Sequence, residues 1–203
     1  MNEKMVIIGA GGHGKVVADI ARKCGYQEII FLDDNSTAHK CMEYPIAGKY
    51  NNIYKFKEYD VFVAIGNADI REKILEKLAN DKIKTPALVH PSAVVAKDVE
   101  IGIGTVIMAG AVINSGTVIG KGCIVNTSAS IDHDNTIEDY VHVSVGAHTA
   151  GTVSIGKKTW IGIGAVVSNN VHIYSECIIG AGAVVVSDII KKGTYIGVPA
   201  RKI

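Results

Sequence analysis

Three consecutive residues, Asp132, His133 and Asp134, set one imidazole between two carboxylates. Imidazole has an ordinary pKa of ~6.5, so it can take up or return a proton near neutrality. A neighbouring carboxylate can orient the ring and favours the imidazolium, which makes it a better base. Either Asp134 or Asp132 could fill that supporting place. A second stretch with chemical potential is Gly9-Ala10-Gly11-Gly12-His13-Gly14, a G-x-G-x-x-G run followed by Asp33 and Asp34 about 20 residues on. Glycines let backbone N–H groups and a helix N-terminus come close to a diphosphate. Carboxylates at the end of a strand can accept hydrogen bonds from a ribose or a base.

Other reactive side chains are less promising. His90, His142, His148 and His172 lie in or beside the repeat described next. None falls at an inward position, and His133, His142, His148 and His172 fall at different phases of the eighteen-residue period made by three such repeats. Zinc chemistry would therefore need ligands from several subunits, and no metal is expected. The cysteines at 24, 41, 123 and 177 form no C-x-x-C pair, as expected of free thiols in a reducing cytoplasm.

The framework that carries these residues shows itself as a period. Every sixth residue from Val89 to Val185 is Val or Ile, with Thr149 the one exception. A second series two residues earlier, from Ala93 to Ala183, is small or β-branched except at Asn135. Glycine often follows the aliphatic position, as at Gly102, Gly120, Gly156, Gly162 and Gly180. Each unit reads as a short strand with two inward side chains and then a tight turn. With no Leu after Leu88 and no Phe after Phe62, the pattern suits stacked parallel strands and not a helical array. Outward aliphatics such as Val106, Val112, Val118 and Val166 suggest walls that need a partner. Cys123 and Cys177 fall on inward positions, too far apart to bond.

Before the repeat the pattern changes. Apolar runs at 5–9, 28–34 and 61–66 alternate with helical patterns at 16–24 and 69–80, and Pro86 and Pro91 mark a junction. This predicts a small α/β domain over 1–88, half of a Rossmann fold, followed by a β-solenoid over 89–203. One mononucleotide half suffices for a nucleotide sugar, whereas a nicotinamide dinucleotide normally uses two. The charge balance, 21 basic against 20 acidic residues, offers no field for nucleic acid or anionic lipid. The opening MNEKMVIIGAGG breaks at glycines too soon for a leader or membrane span, so a soluble cytoplasmic protein is expected.

The hexads resemble the hexapeptide-repeat acyltransferases, in which three hexads make one triangular coil of a left-handed parallel β-helix and three such helices pack as a homotrimer. The glycine loop 9–14, FLDD 31–34, AIGN 64–67, IDHD 131–134, HVSVGAHTAG 142–151 and GVPAR 197–201 resemble the sugar O- or N-acyltransferases of the sialic-acid and bacillosamine type. The resemblance implies acetyl transfer from acetyl-CoA to the 4-amino group of a nucleotide-linked amino sugar, with UDP as the expected carrier. It implies His133 as general base supported by Asp134, where the bacillosamine enzyme has glutamate. It implies substrate contacts at Gly11, Gly12, His13, Asp33, Asp34, Gly66 and Asn67. Acetyl-CoA contacts are implied at His142, Gly151, Ile163 and Ala181, the last a glycine in the relative compared. Sugar O-acetylation and nicotinamide-dependent oxidoreduction are the alternatives.

Overall fold

The computed structural model describes residues 2–203, which form two compact units meeting at Leu88 and Val89.

In the first unit, β1 (Lys4–Ile8) is the central strand of a three-stranded parallel sheet. It pairs with β2 (Glu28–Leu32) and, across the chain's later crossover, with β5 (Asp60–Val63). Their sequences are near-continuous apolar runs, as a parallel sheet covered on both faces requires, and Met5–Ile8, Ile29–Leu32 and Val61–Val63 are all buried. Helix α1 (Gly12–Lys23) starts inside the glycine run. It stops where Gly25 turns left-handed, at φ 101°, and its N–H reaches Arg22 O. Helix α2 (Ala68–Asn80) follows β5. The strands stop at Ile8, Leu32 and Val63, short of Gly9, Asp34 and Gly66, because the chain leaves the sheet there to make loops. A hairpin, β3 (Lys40–Cys41) with β4 (Tyr44–Pro45), and a 3-10 helix at Tyr50–Lys55 fill the link from β2 to β5. The period-based reading contains neither.

The second unit is a left-handed parallel β-helix of about six turns. Its two-residue strands stack eighteen residues apart, as in Val112 on Ser130 and His142 on Trp160, so three hexads close one coil. Inward Ile107, Val125, Val143, Ile161 and Ile179 stack in one buried column, and Cys123 and Cys177 are buried in the same core. Val89, Val95 and Ile101, in the first coil, are only partly buried.

The turns correct one expectation. From Gly104 to Gly182 every sixth residue is left-handed, whether Gly as at 116 and 146 or not, as at Ser128, Asp134 and Tyr140. The glycines after the aliphatic position lie outside that set. A Cβ at Gly102 or Gly162 would collide with the backbone of the next coil, so these glycines permit close stacking, and the turn is made two residues further on. A second correction concerns the walls. Val106 is fully buried within the chain, while Val94 and Ile178, together with Val118 and Val166, carry the exposed apolar surface.

Candidate active site

The segment Asp132–Asn135 leaves one strand (Ser130–Ile131) and turns toward the next (Thr136–Ile137). Neighbouring side chains on an extended chain point apart, yet Asp134 is left-handed, at φ 56°. That geometry folds its short side chain back, and His133 Nδ1 donates to Asp134 Oδ2 at 2.8 Å. The carboxylate thereby fixes the tautomer, with Nε2 the acceptor of the neutral ring. Asp132 serves differently. Its Oδ1 accepts from the His133 backbone N–H at 2.8 Å and from Asn114 Nδ2 at 2.7 Å. These two bonds hold its carboxyl below the ordinary carboxylate range. The Asp134 bond raises the His133 pKa against an opposing desolvation, and the charges of Asp132 and Asp134 add to the rise.

Two glycines make room for this pair. A Cβ on Gly116, one coil before Asp134, would run into the Asp134 carboxylate, and one on Gly151, one coil after His133, into the imidazole. Gly151 therefore sits directly against His133. The other three residues implied for acetyl-CoA lie elsewhere on the coil. His142 stacks on Trp160, with centroids 5.7 Å apart and planes 2° from parallel, and its Nε2 accepts from Asn126 Nδ2 at 3.1 Å. Ile163 and Ala181 stand exposed one coil apart, on the turn that follows the His142 wall. Within one chain, His133 with Gly151 and Ile163 with Ala181 occupy different corners of the triangle.

In the first unit, Gly11, Gly12, His13, Asp33, Asp34 and Gly66 line one cavity of about 750 Å³. Asn67 does something else: its side chain accepts from Ile70 N and caps α2. Asp33 is held by backbone, Oδ2 accepting from Ala10 N at 2.7 Å and Oδ1 from Asn35 and Ser36 N–H. Burial is the largest single influence on its pKa and raises it, but the three backbone bonds together outweigh burial and leave the pKa lowered. Asp34 Oδ1 accepts from Tyr50 N at 2.8 Å. Buried Arg71 donates to Ile65 O and Gly66 O, both at 2.8 Å, and fixes the loop before α2. His13 is pushed down to about 4 by burial and then by the Arg71 charge, so its imidazole is uncharged near neutrality. The α1 N-terminus has no side-chain cap and no acidic residue in its first turn, which leaves its N–H groups open to an anion. Sequence reasoning missed Tyr50, Lys73 and Lys77 on the cavity wall. The two lysines are four apart on α2 and share a face, a signal that could have been found. The sheet has three strands, one mononucleotide half, so the nicotinamide reading lacks its second.

Comparison with known proteins follows this geometry. The family described as the PglD N-terminal domain matches residues 4–78. GDP-perosamine N-acetyltransferase of Escherichia coli O157:H7 is 31% identical over 173 residues, 77% of this chain and 74% of that protein. The chain belongs to the hexapeptide-repeat sugar N-acyltransferases. UDP-N-acetylbacillosamine N-acetyltransferase of Bacillus subtilis (strain 168) is 37% identical over 112 residues, 53% of this chain, and the match spans about half that protein's length, 52%. Among solved structures, the acetyltransferase domain of PglB from Neisseria gonorrhoeae FA1090, in complex with acetyl coenzyme A, superposes with a TM-score of 0.97 at 41% identity, covering 100% of both chains. PerB from Caulobacter crescentus, in complex with CoA and GDP-perosamine, matches with a TM-score of 0.94 at 36% identity, covering 98% of this chain and 97% of that one. Among the described residues no helix is long and apolar enough to cross a membrane, and no three His, Cys, Asp or Glu side chains converge as a metal site would need.

Proposed function

We propose that this member of the family transfers the acetyl group of acetyl-CoA to the 4-amino group of a UDP-linked amino sugar, with His133 as general base. The observation that carries this reading is the 2.8 Å bond from His133 Nδ1 to Asp134 Oδ2 on an exposed corner of the β-helix. As the sugar nitrogen bonds to the thioester carbon, Nε2 takes the amine proton. The C–S bond then breaks and coenzyme A leaves as thiolate, which takes up a proton. Asp134 stabilises the imidazolium formed on the way. The diphosphate would sit at Gly11, Gly12 and the N-terminus of α1, with Lys73 and Lys77 across the cavity and His13, Asp34 and Gly66 reading the rest of the nucleotide.

A homotrimer supports this chemistry. His142, Ile163 and Ala181 lie on other parts of the coil from His133 and Gly151, so a neighbouring copy would bring acetyl-CoA to the base. The exposed Val94, Val118, Val166 and Ile178 give the walls an apolar surface to bury against it. Cytoplasmic location follows from the substrates, acetyl-CoA and a nucleotide sugar. The choice of UDP rests on the bacillosamine relative, 37% identical over 112 residues, and GDP, carried by the perosamine relatives, is the competing carrier.

The test is thiol release from acetyl-CoA against UDP-, GDP- and dTDP-linked 4-amino sugars, paired with sedimentation equilibrium. Turnover with the UDP sugar by a species of three times 21.5 kDa is expected. Turnover with the GDP sugar alone would reassign the base, and a monomeric mass would refute the shared site.

A further inference from the structure

We propose that Asn135 is a positioning residue for the His133–Asp134 pair, its buried amide bracing the turn that presents them. The proposal rests on the reading of His133 as base. Asn135 is the one residue of the small inward series that is neither small nor β-branched, and it is fully buried.

Other polar members of that series show what the position ordinarily does. Thr105 Oγ1 donates to Gly120 O at 2.8 Å, Thr117 Oγ1 to Asp132 O at 2.8 Å and Thr159 Oγ1 to Tyr174 O at 2.9 Å. Each stitches its coil to the next, fifteen residues ahead. Asn135 makes the same stitch, Nδ2 to Ala150 O at 2.9 Å. It also does what no threonine can, because the same amide donates to Asp132 O at 2.8 Å and to His133 O at 3.0 Å. Two N–H hydrogens are shared among three carbonyls, two of which belong to the turn itself.

Those two carbonyls fix the peptide planes on either side of His133. The second plane leads into the left-handed Asp134, whose N–H is tied to Ser115 O at 3.0 Å. The brace therefore sets the angle at which Asp134 meets the imidazole. Asparagine also carries a burden that threonine would avoid, since Asn135 Oδ1 is buried without a partner. Coil stitching alone does not account for an amide here, but support of the turn does.

Asn135→Thr separates the two roles, because it keeps the stitch to Ala150 and removes the brace. The readouts are thermal melting, steady-state kinetics and NMR titration of His133, its signal assigned by its absence in His133→Ala. The variant should melt within a few degrees of wild type. The His133 pKa should move toward the ordinary value, and kcat should fall ~10-fold or more with both KM values little changed. Thr105→Val, which cuts a stitch far from the turn, should lower melting and leave the His133 titration in place. Asn135→Ser gives the same reading should threonine prove too bulky. A wild-type His133 titration and kcat in Asn135→Thr would overturn the proposal, as would a fall in melting with that titration unmoved. The titration does not depend on turnover. Full activity in His133→Ala would remove the base reading, while the Asn135→Thr titration would still decide whether the brace exists.

Discussion

The glycine-loop cavity and the His133 corner are built on opposite plans. In the cavity, side chains hold the backbone: Asp33 ties Ala10 and its own loop, Asn67 caps α2, and Arg71 clamps Ile65 and Gly66. What remains on the cavity wall is main chain at Gly11, Gly12 and the start of α1, with the side chains of His13, Asp34, Lys73 and Lys77 around it. At the corner the relation is reversed. Coil-to-coil hydrogen bonds such as Asp134 N to Ser115 O and Thr152 N to His133 O carry most of the backbone, Asn135 and Asp132 brace the turn from within, and the exposed His133–Asp134 pair is left for chemistry. A three-stranded sheet with long loops must use polar side chains as ties. A solenoid satisfies its backbone by repetition and can present an imidazole on a rigid frame.

The comparison breaks most visibly at His133. On this reading His133→Ala loses ~10²–10⁴-fold in turnover, the range for a positioned general base, while nucleotide-sugar and acetyl-CoA affinities measured by calorimetry stay put. Wild-type turnover at neutral pH would move the base elsewhere, with His142 next to be tested.

Gly151→Ala sharpens the same side. Its Cβ would enter the imidazole of His133, and the backbone has little room to yield, since Gly151 O accepts from Asn170 N at 3.1 Å. A displacement of the ring by about 1 Å should cost ~10- to 10²-fold in kcat. A rise in KM for acetyl-CoA with kcat unchanged would instead assign Gly151 to coenzyme contact alone.

Gly12→Val probes the other plan. A Cβ at Gly12, like one at Gly11, meets nothing within 4 Å, so there is room for the first side-chain atom, and in a variant that melts as wild type any loss reports on the ligand. Nucleotide-sugar affinity should fall ~10-fold or more, the scale of a charge-assisted hydrogen bond, and acetyl-CoA affinity should hold. Equal loss of both would end the division of labour between the units.

The two regions also differ in how far they could be read in advance. The β-helix was legible almost residue by residue, because a buried column that recurs every hexad admits few residue types and no slip of phase. Its turns were not. The left-handed position is Gly at 116 and Asp at 134, so composition hides it, and the pairing of Asp134 with His133 depends on that one dihedral. Asn135 was visible as the odd member of its series, but its purpose lies in three carbonyls that only the folded coil assembles. In the first unit the strands and the glycine loop were legible from apolar runs. The hairpin at Lys40–Pro45 and the 3-10 helix at Tyr50–Lys55 carry no periodic signal, and Tyr50 reached the cavity unnoticed. Of the neighbours Gly66 and Asn67, which sequence could not tell apart, Gly66 lies on the cavity wall and the Asn67 side chain caps α2.

The smallest effect tests the partnership within the corner. In the wild-type protein the bond to Asp134 is the largest influence on the His133 pKa and raises it, against an opposing desolvation, with the charges of Asp132 and Asp134 raising it further. The imidazole must be neutral to accept a proton, so the acidic limb of kcat/KM should lie above the ordinary imidazole value of ~6.5. Asp134→Ala removes the bond and one charge and leaves Asp132. The His133 pKa falls, and the acidic limb moves down toward ~6.5. On the acid side the variant therefore keeps a larger fraction of its own maximum than the wild type keeps of its own. On the alkaline plateau it is slower, because the ring is a weaker base and is no longer held by its Nδ1, but it loses less than His133→Ala. A limb that stays in place in Asp134→Ala and moves down in Asp132→Ala would transfer the electrostatic role to Asp132. The 2.8 Å contact of Asp134 would then serve orientation alone.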